Sequence, residues 1–378
     1  VIYLDHAATT SIYPEALDEM VRVAREVSAN PSSSHAAGDA AYSLLERCRS
    51  TLASHIGCRP REVVFTSGGS ESCSLAIVGA AMAQRRRTLV VSSIEHSCVL
   101  ESARELERRG FLLKTLPVDG YGRTSPEVLE ALVDDDTFLV SVMHANNEVG
   151  TLQPIHDLVA AARRKQPKVL FHTDAVQSFG KVETPWGTGL DLMSVSAHKV
   201  KGPLGAGVLA VRQGTRMVPQ VFGGGQEENL RSGTQNLPAI AGFAEACRIT
   251  ASRRDACGAK TALLVRHLRD RLQAEIPGVE FHGHPEHRIQ GIVSVGIPGV
   301  KSQHLMTFLD EAGIQVSSGS ACHSRRGMSS HVLQAMGVPE SLGTIRLSLG
   351  MDNELEDMDQ CVEALVVITR RFFRRTGR

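Results

Sequence analysis

Two residues near the middle of the chain have types and positions that suit a particular chemistry. Asp174 follows the apolar run KVLFHT, and Lys199 lies just past the next such run, DLMSVS. Short buried runs of this kind read as strands, and strands do not ordinarily end with such residues side by side. A carboxylate can keep an aromatic ring nitrogen protonated so that the ring withdraws electrons, and a lysine amine can bond to an aldehyde. Those are the two demands of pyridoxal 5'-phosphate. We assign Asp174 to the pyridinium nitrogen and Lys199 to the aldehyde. A surface Asp and Lys bounding two strands would look the same in isolation, so the surrounding elements have to decide.

Those elements alternate. The strand EVVFT runs into SGGSES and then the apolar helix LAIVGAAM; TLVVSS is followed by a helix over 97–109, FLLKTLPV by one over 125–133, and TFLVSVM by one over 155–165. Repeated strand and helix with buried strands predicts a largely parallel sheet covered on both faces, with ligands outside the carboxyl ends of the strands. The polar residues just past those ends are Ser70, His96, Asn147, Asp174, Gln177, Ser196, His198 and Lys199. Burying all eight together without a ligand would leave unpaired groups at high cost. The Gly-Gly-Ser turn opens a helix, where free backbone amides and the positive end of the dipole favour phosphate, so Gly69 and Ser70 are the phosphate candidates. A plain helix cap is the competing reading. The turn is neither GxGxxG nor a Walker loop, which argues against a dinucleotide or a nucleoside triphosphate.

Composition narrows the class. The 378 residues exceed one small core, and 42% hydrophobic content suffices for two. Lys plus Arg and Asp plus Glu each total 41, so no global field draws nucleic acid or an anionic membrane. Apolar runs stop well short of the roughly 18 residues of a membrane span. No charged-then-apolar leader opens the sequence, and cytoplasmic residence is the expectation. Eight cysteines are scattered without a CxxC pair, which argues against a disulfide framework or a zinc site.

Outside the alternating core, Pro14 starts a helix whose apolar face is read as Leu17, Met20, Val21 and Ala24, and a second helix carries Leu44, Leu45, Cys48, Leu52 and Ile56. A helical stretch over 238–274 reads as the connection between two domains, kinked near Gly258, with two separate helices as the alternative. The strands IVSVGIPGV, IQVSS and TIRLSLG and a C-terminal amphipathic helix complete the second domain. Within it, Cys322 lies in GSACHSRRGMSS with His323, Arg325 and Arg326 close behind. Nearby cations favour the thiolate, the nucleophilic form, and a Gly/Ser loop permits movement. Cys322 is therefore the expected catalytic nucleophile.

With these residues in view, the chain resembles the group I cysteine desulfurases, in the class V branch of the fold-type I pyridoxal phosphate enzymes. The similarity runs through YLDHAATT, NPSSSHAAG, FTSGGSES, EH at 95–96, MHANNEVG, HTDAVQSFGK, SAHKVKGPLGAG, GGGQEENLRSGT, SSGSACHS and IRLSLG. It implies an α/β fold of the aspartate aminotransferase type. A large domain over 14–253 would hold a mostly parallel seven-stranded sheet, and a smaller α+β domain over 1–13 and 254–378 would carry the cysteine loop. The resemblance also implies Lys199 as the cofactor lysine, Asp174 at the ring nitrogen, Gln177 at the phenolic oxygen, His96 stacked on the ring and Asn147 near cofactor and substrate. Gly69, Ser70, Ser196 and His198 would hold the phosphate, with Thr234 reaching the phosphate of the neighbouring subunit in a homodimer. Arg346 would grip the carboxylate of L-cysteine, a task suited to a planar bidentate donor. Two departures stand out: Ser70 replaces the usual threonine, and Cys73 and Ser74 replace the asparagines common after TES.

The activity implied is removal of sulfur from L-cysteine, giving L-alanine and a persulfide on Cys322 that passes to an acceptor protein. Iron–sulfur assembly, tRNA thiolation and DNA phosphorothioation are the candidate destinations. Alternatives are a selenocysteine lyase or a small-amino-acid aminotransferase of the same fold, separable by assays with selenocysteine or an oxo acid. A non-catalytic sulfur carrier is another, against which the Asp174 and Lys199 pair speaks. The HGHPEH segment, with His282, His284 and His287, matches no standard metal spacing and reads as a polar turn. RRFFRRTGR reads as a solvated helix end rather than a nucleic-acid contact.

Overall fold

The computed structural model describes residues 1–319 and 330–376. The chain opens with β1 (Ile2–Tyr3), α1 (Pro14–Glu26) and α2 (Ala36–Ile56). Helix α2 buries Leu44, Leu45, Cys48, Leu52 and Ile56, the stripe its spacing predicts, and ends on Gly57 at φ 85°, a left-handed stop that glycine adopts without strain. Next come β2 (Val63–Thr66), α3 (Gly69–Ser74) and α4 (Ala80–Met82), the two helices joined by a π turn over 75–79.

Strand and helix then alternate: β3 (Thr88–Ser92), α5 (Ser97–Arg108), β4 (Leu112–Leu116), α6 (Pro126–Leu132), β5 (Thr137–Ser141), α7 (Ile155–Lys165), β6 (Leu170–Asp174), β7 (Leu192–Ser196) and β8 (Gly207–Val211). The seven strands lie in the order β2-β8-β7-β6-β5-β3-β4. All run parallel except β8, which is antiparallel to both β2 and β7. One apolar cluster on each face covers the sheet, which is why the strands read as unbroken apolar runs rather than alternating ones. Gly207 of β8 is paired with Thr66 on one side and Ser196 on the other, so the ends of β2 and β7 arrive at the same edge.

Helix α8 (Leu237–Glu275) runs as one element through Gly258. Its first turns, with Leu237, Ile240, Phe243 and Cys247, sit in the sheet's core, and Leu264, Leu268 and Leu272 sit in a second core. That shared membership favours one helix over two. The second core lies on β9 (Glu280–His282), β10 (Ile292–Pro298), α9 (Ser302–Glu311), β11 (Ile314–Gln315), α10 (His331–Ala335), β12 (Leu342–Ser348) and α11 (Leu355–Thr376). Strands β12-β10-β9 form an antiparallel sheet. The N-terminus belongs here too. Strand β1 pairs with β11, Leu4 packs into the second core, and Asp5 bridges to Ser348.

The face expected of α1 is corrected. The helix buries Ala16 and Val23, while Leu17 and Val21 are 43% and 36% exposed. Its contact with α8 is the reason: a Cβ placed on Gly242 of α8 would lie 3.0 Å from the carbonyl oxygen of Ala16. At so close a crossing only small residues fit, and the leucine turns outward.

Candidate active site

The eight polar residues past the strand ends all line one cavity of about 270 Å³ at the carboxyl edge of the large sheet. Gly69 and Arg346 line it as well, as do Ala7, Ala8 and Cys98, which the spacing of the sequence did not single out. Each arrives from a different element: Gly69 and Ser70 open α3, His96 caps α5, Asp174 ends β6, and Lys199 ends a 3-10 turn that follows β7.

Lys199 is held by two backbone carbonyls of the N-terminal loop. Its Nζ donates to the oxygens of Ala7 at 2.5 Å and Ala8 at 2.6 Å. Gln177 Nε2 donates to the same Ala7 oxygen at 2.8 Å, which fixes the amide beside the lysine. Burial, then the charges of Lys181 and Arg346, lower the Lys199 pKa to about 7, so a large share of the amine is unprotonated near neutrality. An amine that is to attack an aldehyde needs that lone pair.

Asp174 is only 5% exposed, and its Oδ1 accepts from the backbone N–H of Val176 at 2.9 Å. Burial, with the neighbouring Cys98 thiol, raises its pKa to about 6. A buried carboxylate with one backbone donor seeks a second partner, and a protonated ring nitrogen supplies one. Cys73 lies against Cys98 and Asp174, with each sulfur and a carboxylate oxygen within 4.8 Å of one another. Cys98 Sγ lies 3.0 Å from His96 Nδ1. The Cys98 contact, with burial, drives the Cys73 thiol well up, while the contacts with Cys73 and His96 draw Cys98 down. The pKa of His96 is raised, chiefly by its hydrogen bond to Cys98.

At the other end of the cavity the backbone itself is pressed close. A Cβ on Gly69 would lie 2.7 Å from Val176 Cγ2, and a Cβ on Gly207 would lie 2.6 Å from the Cα of Gly68. Only glycines leave the amides of this turn in reach of a ligand. Ser196 stands beside it, and His198 Nδ1 pairs with Thr9 Oγ1 at 3.1 Å. Burial, then Lys199 and Lys181, lowers the His198 pKa to about 4, so its ring is a neutral hydrogen-bonding group.

Arg346 comes from β12, in the other sheet. It is 2% exposed; one Nη donates to the Asn147 carbonyl at 2.9 Å, the other to Asp5 Oδ1 at 2.7 Å, and its buried Nε has no hydrogen-bond partner. A planar donor fixed on two sides, with capacity left over, suits a carboxylate. Asp5, the ion-pair partner of Arg346, is a residue that spacing alone missed; its place in YLDHAATT was the available signal. Thr234 is exposed and does not line this cavity. Cys322, His323, Arg325 and Arg326 lie outside the described residues. In HGHPEH, His284 Nδ1 accepts from the N–H groups of Glu286 and His287 at 3.1 and 3.0 Å, so that ring closes the polar turn.

The residues present fit pyridoxal phosphate. Lys199 is a buried amine that makes no ion pair among the described residues, Asp174 is a buried acid short of donors, and the glycine turn offers free amides to an anion. When bound there, the cofactor would draw electrons away from the Cα of an attached amino acid.

Comparison with known proteins agrees with this geometry. The profile of the aminotransferase class-V family matches residues 2–361. Cysteine desulfurase IscS 1 of Archaeoglobus fulgidus is 39% identical over 98% of this chain and 97% of its own. A NifS-like protein of known structure superposes with a TM-score of 0.92 at 37% identity, covering 98% of this chain and 99% of its own. A structure described as SspA in complex with cysteine has a TM-score of 0.81 at 33% identity, covering 92% of this chain and 99% of its own. Among the described residues no helix is long and apolar enough to cross a membrane. From the glycine turn to the buried amine and acid, and over nearly its whole length, this chain belongs to the aminotransferase class-V family of pyridoxal phosphate enzymes, among its cysteine desulfurases.

Proposed function

We propose that residues 14–253 form the cofactor unit of this cysteine desulfurase, and that residues 1–13 and 254–378 form the unit bearing the nucleophile Cys322. The observation that carries the reading is the convergence of Lys199, Asp174 and Arg346 on one cavity from two different sheets. Asp174 holds the proton of the ring nitrogen. Gln177 would hold the phenolic oxygen of the cofactor and His96 its ring, while Gly69, Ser70, Ser196 and His198 would hold the phosphate. Arg346 grips the carboxylate of L-cysteine beside Asn147. Lys199 Nζ, once free, takes the Cα proton and returns a proton to the product, with His96 Nε2 as a further carrier.

The Cys322 thiolate then attacks the sulfur of the substrate. One S–S bond forms as the C–S bond breaks, and the electron pair left on the carbon fragment is protonated, so the products are a persulfide on Cys322 and L-alanine. The chain acts as a homodimer in which Thr234, exposed on its own subunit, reaches the partner's phosphate site. The persulfide passes to an acceptor protein in the cytoplasm.

Two measurements test this. Borohydride reduction followed by peptide mapping places the reduced cofactor on Lys199, and label on any other lysine ends the proposal. Cys322→Ser keeps the yellow cofactor and loses alanine and sulfide release from L-cysteine. A normal rate in that variant removes Cys322 from the mechanism.

A further inference from the structure

Cys73, Cys98 and Asp174 are distant in sequence and the spacing of the cysteines matches no metal motif, yet the fold brings their ligand atoms together at one end of the cavity. Each sulfur and a carboxylate oxygen lie within 4.8 Å of one another. In a tetrahedral zinc site, metal–sulfur bonds of about 2.3 Å place two thiolates about 3.8 Å apart. Contraction of a few tenths of an ångström to an ångström is enough, and side-chain rotation supplies it.

The three donors are built into regular structure: Cys73 on α3, Cys98 on α5, and Asp174 at the end of β6. Cys73 is 0% exposed and Asp174 5% exposed, whereas Cys98 lines the cavity and gives an ion a route in. A neighbouring group orients one ligand in the manner of metal sites: His96 Nδ1 lies 3.0 Å from Cys98 Sγ. Two soft sulfurs and one carboxylate, with a fourth direction open to the cavity, select a thiophilic divalent cation of the zinc class over magnesium or calcium.

We propose that the cofactor-free chain binds one such cation through Cys73, Cys98 and Asp174, and that pyridoxal phosphate and this cation exclude each other. The exclusion rests on the reading that Asp174 serves the ring nitrogen; the metal site itself does not. Both ligands claim the same carboxylate, so the protein holds one or the other. Binding proceeds by loss of the two thiol protons to solvent as the metal–sulfur bonds form, with no change of oxidation state.

Cobalt(II) is the probe, because its bonds to thiolate give a charge-transfer absorption. The full chain carrying Cys322→Ser, which removes the thiol of the cysteine loop from the measurement, is stripped of pyridoxal phosphate and titrated with cobalt. The expected result is a charge-transfer band saturating at one cobalt per chain, with affinity reduced at least tenfold by Cys98→Ala or by Cys73→Ser. The more conservative Cys98→Ser also weakens the band and, with an unchanged melting temperature, separates loss of a ligand from loss of the fold. Added pyridoxal phosphate abolishes the band as the cofactor's own absorption grows. A missing band, or one indifferent to both cysteines, overturns the site. Closure of Cys73 and Cys98 into a disulfide without cobalt uptake overturns it equally. Cobalt retained beside bound cofactor overturns the exclusion and points at the Asp174 assignment instead.

Discussion

Asp5 and Arg346 meet in an ion pair at 2.7 Å although 341 positions separate them. Arg346 is buried, and Asp5 is the carboxylate that offsets its charge. Asp5→Asn leaves the guanidinium without a counter-ion, and removing one member of a buried pair costs about 3 kcal/mol. The melting temperature of the variant falls. A carboxylate ligand replaces the missing charge, so saturating L-alanine raises the melting temperature more in the variant than in the parent. Equal shifts in both proteins would separate Arg346 from carboxylate binding.

The lowered pKa of Lys199 makes a prediction with a definite sign. Above about pH 7 the folded, cofactor-free chain has lost a proton that the unfolded chain keeps until roughly pH 10.4. Between those values the unfolded state binds more protons, so stability rises with pH across that window and falls as pH drops towards 7. Covalent capture of pyridoxal phosphate requires the free amine, and its rate follows the same titration. Stopped-flow absorbance should place the midpoint near pH 7. Lys181→Met removes the charge that helps hold Lys199 down, and moves the midpoint upward. A midpoint in the ordinary lysine range for the parent would contradict the burial argument.

Gly69 presses against Val176, and the added methyl of Gly69→Ala would lie 2.7 Å from Val176 Cγ2. Overpacking of this kind costs about 1–3 kcal/mol, and here it displaces the amides of the phosphate turn. Cofactor affinity, read by fluorescence titration, should fall about tenfold or more for a cost at the middle of that range. Adding Val176→Ala opens the space and restores most of it. A double variant no better than the single one would place the fault elsewhere.

Asp174→Asn and Cys322→Ser should fail at different steps. Asparagine cannot hold a ring proton by charge, so the variant loses roughly 100-fold or more in the rate of Cα proton removal while keeping the adduct on Lys199. Cys322→Ser leaves that proton step intact. Exchange of the Cα hydrogen of L-cysteine in deuterium oxide, followed by NMR, should persist in the serine variant and collapse in the asparagine one.

Alternation of apolar runs with amphipathic segments, and polar residues just beyond each run, were legible along the chain because both are local consequences of a covered parallel sheet. Strand ends point the same way in such a sheet, so Ser70, His96, Asn147, Asp174 and Lys199 had to share an edge. Helix α1 was misread for the complementary reason: its spacing was amphipathic, but the closeness of Gly242 decided which stripe could turn inward.

The residue types, their order and the buried strands determined by sequence alone that a lysine and a carboxylate would meet at one sheet edge, where both line the same cavity. Only tertiary structure decided that the carbonyls of Ala7 and Ala8 hold that lysine, that Asp5 pairs with Arg346, and that Cys73 lies against Cys98. Each of these contacts joins segments whose proximity depends on the pairing of β1 with β11 or the packing of α3 beside α5. Local periodicity reports which face of an element is buried, and the identity of the neighbour across it is set by how the layers close.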